Sequence, residues 1–196
     1  GTSGDSRLIA SSIECVSEGD FSSSSNASSL VLKTGASEAA TEKARVTSDG
    51  YLRLAGKGIQ FNADTADANS LDDYEEGTAT LTLTGTSGAP TSAVTSTATY
   101  VKVGKMVCID VVFNGVSMSG SSGAVRVTGL PFAVASIGVA PSLQHTAGVT
   151  GAFNVWYLNS TQADLYTCSN DAGWAAEAVN ASSVYHYISA TYRTSA

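Results

Sequence analysis

Apolar and polar residues alternate along much of this chain. Between residues 105 and 116, Val107, Ile109, Val111 and Phe113 share one parity, while Met106, Cys108, Asp110 and Asn114 share the other. Successive side chains of an extended strand point to opposite faces, so this spacing predicts a half-buried strand with the first set inward. The period returns in a last predicted strand over 182–194, where Val184, Ile188, Ala190 and Tyr192 alternate with Tyr185, Tyr187 and Ser189. His186 falls on the apolar parity there, which reads as a structural histidine. Further strands are predicted over 79–84, 92–103, 124–128, 137–144, 151–158 and 163–168, punctuated by Gly and Asn turns. Strands at this spacing predict an antiparallel β-sandwich over residues 79–196, jelly-roll-like in form and long enough to hold its own core.

Residues 1–62 are patterned differently. Short strand-like runs at 8–10, 13–16 and 30–33 are separated by polar loops, including the low-complexity stretch 22–29, SSSSNASS. So little aliphatic and aromatic mass verges on disorder in an isolated chain. The expectation is a β-rich shaft in which three copies interweave, making burial a property of the oligomer. Arg45-Val46-Thr47 and Tyr51-Leu52-Arg53-Leu54 flank Ser48-Asp49-Gly50. Asp-Gly between alternating runs is a strong hairpin signal and calls for positive φ at Gly50. Residues 63–78 read as an acidic junction, with a helical turn or two over 66–71 and with Asp72, Asp73, Glu75 and Glu76 as a solvated collar. The calcium-loop spacing that would preorganise a cation is missing, so no metal is assigned.

Composition narrows the function. Charged residues are 14%, with Ser, Thr, Gly, Ala and Asn in their place, and the net charge is −7. Without a basic stripe there is no means of displacing counterions from nucleic acid, and anionic membranes are disfavoured too. No apolar run approaches the length of a membrane helix, so membrane insertion is not expected. Cys15, Cys108 and Cys168 have no paired spacing and read as buried free thiols of a protein folded in a reducing cytosol. The opening GTSGDS reads as the middle of a longer protein, with further chain expected before Gly1.

Catalysis finds no support in the motifs. The chain has two histidines, His145 and His186, and lacks the Gly-x-Ser-x-Gly elbow, the phosphate loop, the dinucleotide fingerprint and HExxH. Asp110, Asp164, Asp171 and Glu177 show no spacing that selects a glycosidase pair. The expectation is a non-enzymatic protein without cofactors. Sugar binding fits better, since the C–H faces of sugars stack on aromatic rings while their hydroxyls seek Asn, Asp and backbone groups. Trp156, Tyr157, Tyr166, Trp174, Tyr185, Tyr187 and Tyr192 cluster late in the chain. Trp174 lies in the loop 169–182, SNDAGWAAEAVNAS, as either a plug over the core or an exposed contact, with Asn170 and Asp171 beside it. Trp156 is either packed or part of a platform. The candidate contact residues are Trp174, Asp171, Asn170, Trp156 and Tyr166.

Several segments in order resemble tailed-bacteriophage tail fibre proteins at the passage from shaft to receptor-binding knob. They are Glu42 to Gly50, EKARVTSDG; Gly58-Ile59-Gln60-Phe61; Leu71 to Thr78, LDDYEEGT; Tyr100-Val101-Lys102-Val103-Gly104; Gly129-Leu130-Pro131-Phe132; and Tyr187 to Thr194, YISATYRT. The chain departs from the pattern at Ala79, where such proteins usually carry Trp. The resemblance implies a slender homotrimeric shaft followed by a jelly-roll-like knob. It also implies a virion component assembled in the host cytoplasm and joined through its N-terminal side to other tail proteins. Its role would be non-catalytic binding of a host cell-surface receptor, expected to be a glycan. Two alternatives are the end domain of a glycan-degrading tailspike and a stand-alone secreted carbohydrate-binding module.

Overall fold

A computed structural model describes residues 8–63, 65–141, 153–168, 173–179 and 183–195. The protein is all-β, with strands paired antiparallel throughout. A 3-10 turn, Asp67–Asn69, stands where residues 66–71 predict a short helical turn. The chain divides into two compact units between Asp72 and Asp73.

The first unit is a four-stranded meander of β1 (Ser11–Ser17), β2 (Ser28–Thr34), β3 (Thr41–Val46) and β4 (Leu52–Leu54). All four strands pair within one chain. The β3–β4 hairpin turns at Asp49-Gly50, as the sequence predicts. Gly50 has φ of 88°, its N–H donates to the Thr47 carbonyl at 2.9 Å, and the Thr47 hydroxyl donates to Asp49. A turn closed by a left-handed Gly suits the twist of the flanking strands.

The register sorts this sheet into two unlike faces. Ile13, Leu32, Ala44 and Leu54 form one cross-strand row, and Cys15, Leu30, Val46 and Leu52 form the next. The other face carries Glu14, Lys33, Glu42 and Arg45, with Lys33 Nζ 2.6 Å from Glu14 and Arg45 paired to Glu42. Near its end the Ser29 and Ser48 hydroxyls each donate to Glu18 at 2.5 Å, and the Ser48 N–H adds a third bond. Led by the Ser29 bond, these hold the Glu18 carboxyl down at about 2. Among the described residues of this unit, Val31 is the one buried aliphatic side chain.

The second unit is built from β5 (Tyr74–Gly85), β6 (Val94–Val103), β7 (Met106–Ser117), β8 (Val125–Thr128), β9 (Val134–Pro141), β10 (Phe153–Ser160), β11 (Gln162–Cys168), β12 (Ala175–Ala176) and β13 (Ser183–Arg193). They form one curled sheet in the order β13-β7-β6-β5-β8-β11-β10-β9, with β12 on β11. Its two ends meet at a bridge between Val134 and Thr194. The order contains two Greek keys, β8-β5-β6-β7 and β13-β9-β10-β11, each a meander with its fourth strand returned beside the first. Curling lays one half of the sheet over the other in a sandwich-like arrangement and spares most of its edge. β5 reaches back to Tyr74, so Glu75 and Glu76 of the acidic stretch are strand residues.

The core lies between the layers. Val107, Ile109, Val111 and Phe113 all face inward, as their parity predicts, and meet Leu81, Leu83, Val127, Trp156, Leu158, Leu165 and Ile188. Between Val184 and His186 the β7–β13 register slips, with Asn114 and Gly115 opposing Tyr185 and Gly115 at φ of 60°. A left-handed Gly is what such a bulge requires. Ala79 is half-buried against the core and opposes the buried Ala98.

One expectation is corrected. The thiols of Cys15 and Cys108 are exposed, because Cys15 lies on the open face of the first sheet and Cys108 on the outer parity of β7. The Cys168 side chain lies outside the described set. Lys102 sits on the inward parity of β6 and is buried, while Val101 and Val103 are exposed. Its ammonium pairs with Asp73 and lies 5.5 Å from the centroid of the Phe132 ring, which meets Tyr100 edge-on at 5.4 Å. A buried ammonium needs such a partner.

Candidate functional site

On β8, β10 and β11 the inward parity is taken by Val125, Val127, Trp156, Leu158, Ala163 and Leu165. The outward parity therefore presents Arg126, Tyr157, Asp164 and Tyr166. Register aligns Tyr157, Asp164, Arg126 and Thr84 in one row across four strands. A second row runs Asn159, Gln162, Thr128, Thr82 and Thr95 across five. None of these five carries a formal charge, and together they offer amide and hydroxyl groups to whatever lies on the sheet.

Two further rings join Tyr157 beside these rows. Tyr166 is diagonal to Tyr157, the geometry in which long cross-strand side chains meet. Their centroids are 5.8 Å apart at 67°. β12 pairs Ala176 with Tyr166 and brings Trp174, two residues earlier, to 6.2 Å from the Tyr166 ring at 52°. Trp174 remains 51% exposed. The segment carrying it is tied down by the Glu177 N–H to the Leu165 carbonyl at 2.9 Å, the Val125 N–H to the Glu177 carbonyl at 2.8 Å, and the Thr167 hydroxyl to the Glu177 carboxylate at 2.5 Å.

Below the rings, the Arg126 guanidinium grips Asp164 in a fork, Nε to Oδ1 at 2.6 Å and Nη2 to Oδ2 at 2.9 Å. Such planar two-point pairs are the geometrically specific kind. The hydrogen bonds to Asp164, and then the nearby negative charge, raise the proton affinity of Arg126. Asp164 and Glu177 are thus both engaged by donors. Among the described residues, no three His, Cys, Asp or Glu side chains gather where they could hold a metal ion.

Of the sequence candidates, Trp174 and Tyr166 are brought together, and the exposed Trp174 is not a plug. Trp156 is corrected: it is 0% exposed and cannot touch a receptor from this position, because the even parity of β10 points into the core. There it meets the ring of His186 edge-on at 5.9 Å. Burial pushes the His186 imidazole down to about 4, so it is a neutral core residue at neutral pH. Asn170, Asp171 and His145 lie outside the described residues. Sequence reasoning missed Tyr157 and the Arg126–Asp164 pair as site residues. Parity was the available signal for Tyr157, since a strand that turns Trp156 and Leu158 inward must turn Tyr157 outward. No protein-family model and no curated protein matches this chain.

Proposed function

We propose that this chain is the distal part of a tailed-phage fibre that binds a host cell-surface glycan without catalysing a reaction. In this reading it is a homotrimeric virion component, assembled in the host cytoplasm and connected through its N-terminal side to other tail proteins. The observation that carries the binding role is the Tyr157–Tyr166–Trp174 ring array on an outward sheet face. Packed rings are held in place, so little ordering entropy remains to be lost on binding. The adjoining row of Asn, Gln and Thr side chains supplies uncharged donors and acceptors suited to sugar hydroxyls, beside the Arg126–Asp164 ion pair. Loops and faces displayed by a rigid sandwich are where recognition commonly resides. The resemblance supplies the virion setting, and three copies would convert weak single-site contacts into avidity.

The test is a glycan and whole-cell binding screen with Trp174→Ala and Tyr166→Ala alongside the unaltered protein. The reading expects a binder to emerge, with binding lost in both variants while the fold persists. Binding that survives both substitutions would place the contact elsewhere.

A further inference from the structure

We propose that the apolar face of β1–β4 is an interface, and that its occupant is a second copy of this chain. Ile13, Leu32 and Leu54 in one row and Leu30, Val46 and Leu52 in the next are all exposed, Ile13 at 72% and Leu52 at 61%. Cys15 and Ala44 complete the two rows. An antiparallel sheet can leave one face in water, but that face is then ordinarily the polar one. Here the ion pairs share one face with the buried Val31, and the exposed hydrocarbon rows are on the other. A sheet with an apolar face is completed by a second layer, and none is present among the described residues of this unit.

Three observations select a second copy as that layer. The two apolar rows carry no formal charge, the ammonium of Lys43 at the β2–β3 bulge lying beside them on Thr41, in a chain whose net charge is −7, so this is where copies can approach with least repulsion. With Val31 as its one buried aliphatic side chain, the unit lacks a core of its own, and its cover must be at hand when it folds. Another copy is made at the same place and in matching amount. The size also fits. Four strands about 4.8 Å apart, rising about 3.4 Å per residue, give a face of roughly 400 Å² in plan, and more in accessible area once side chains stand off it. Two such faces packed together approach the ~1,000 Å² that a specific interface needs. The occupant follows the assembly reading above, while the face itself is read from register and exposure.

Cys15 provides a probe within the face. The full chain is analysed by light scattering across a dilution series, and alkylation of Cys15 is followed by mass spectrometry with Cys108 as reference. The proposal expects an associated mass at high concentration with Cys15 shielded, and labelling that accelerates as dilution separates the copies. The double variant Leu32→Glu, Leu52→Glu should lose the associated mass, and Thr97→Glu, on the second unit, should keep it. A folded monomer at every concentration overturns the proposal, whether Cys15 reacts freely or is shielded by its own chain. So does a double variant that assembles normally. Host-cell binding is scored separately through Trp174→Ala: a monomer that binds sinks this interface alone, and an assembly that binds nothing supports it while sinking the receptor reading.

Discussion

In β5–β13 the inward parity of the long strands reaches a shared core, so that Val107, Ile109 and Phe113 are almost fully buried. In β1–β4 the equivalent parity carries Ile13, Leu32 and Leu54 into water. Both sheets are antiparallel, and in both most of the apolar residues share one parity. They differ in closure. The second sheet has enough strands to curl until Val134 meets Thr194, and it becomes its own second layer. The first has four short strands and nothing to curl onto. Alternation therefore specifies a strand and its two faces, while strand number decides whether a chain can satisfy the apolar face unaided.

The largest expected effect tests the closed sheet. Ile109→Ala should cost about 2–5 kcal/mol, the range for a truncated aliphatic chain in a packed core. Leu32→Ala, on the open sheet, should change the stability of the dissociated chain by no more than about 0.5 kcal/mol, as at other exposed sites. Denaturant melts at low protein concentration measure both, and equal losses would erase the distinction between the two sheets.

Acid should next weaken the closed sheet through His186. Its imidazole titrates at about 4 when folded, against 6.5 as the ordinary value. Between those limits the unfolded chain takes up the proton and the folded chain does not, so stability falls as pH drops from about 6.5 to about 4. The drop is complete near the folded value and amounts to about 3 kcal/mol at 1.36 kcal/mol per pH unit. Melting of the second unit, followed through Trp156 fluorescence, should lose this dependence in His186→Phe. An unchanged slope in that variant would assign the acid sensitivity to other groups.

A smaller effect tests local order in the open sheet. Nothing lies within 4 Å of a Cβ added at Gly50, so only its φ of 88° opposes substitution. Gly50→Val should destabilise the β3–β4 hairpin by about 1–3 kcal/mol, the cost of holding a non-glycine residue in that region. Amide exchange at Thr47 and Tyr51 reports it, and unchanged protection there would mean the turn adopts another geometry. The smallest stability effect belongs to Trp174→Ala, expected within about 0.5 kcal/mol because the ring is half in solvent. A melting point well below that of the parent would make Trp174 a packing residue.

Much of the second unit was legible because period-2 alternation runs through its long strands. The predicted run 105–116 became β7 and 182–194 became β13, each shifted by only a residue or so at its ends. The first unit's hairpin was legible from Asp49-Gly50 for the same kind of local reason. The site was read less well. Trp174 and Tyr166 were identified by residue type, but type alone left Trp156 open between packing and a platform, and only its parity with Leu158 shows that it faces inward. Lys102 escaped because Val101 and Val103 look like the buried pair around it. The ion pair with Asp73, distant in sequence, reverses that preference, and no local pattern encodes such a partner. The two apolar rows of β1–β4 escaped for a related reason. Each strand contributes only two apolar residues to them, and the rows exist only once register lines the strands up.

Hydrogen exchange on the full chain, measured across a range of protein concentrations, tests the contrast between the two sheets most directly. A sheet completed by its own curl should keep its amide protection at every dilution, whereas a sheet completed by another copy should lose it as copies separate. The account predicts that β1–β4 exchange faster on dilution while β5–β8 and β13 hold constant. Protection of β1–β4 that persists unchanged in a chain shown to be monomeric would contradict it.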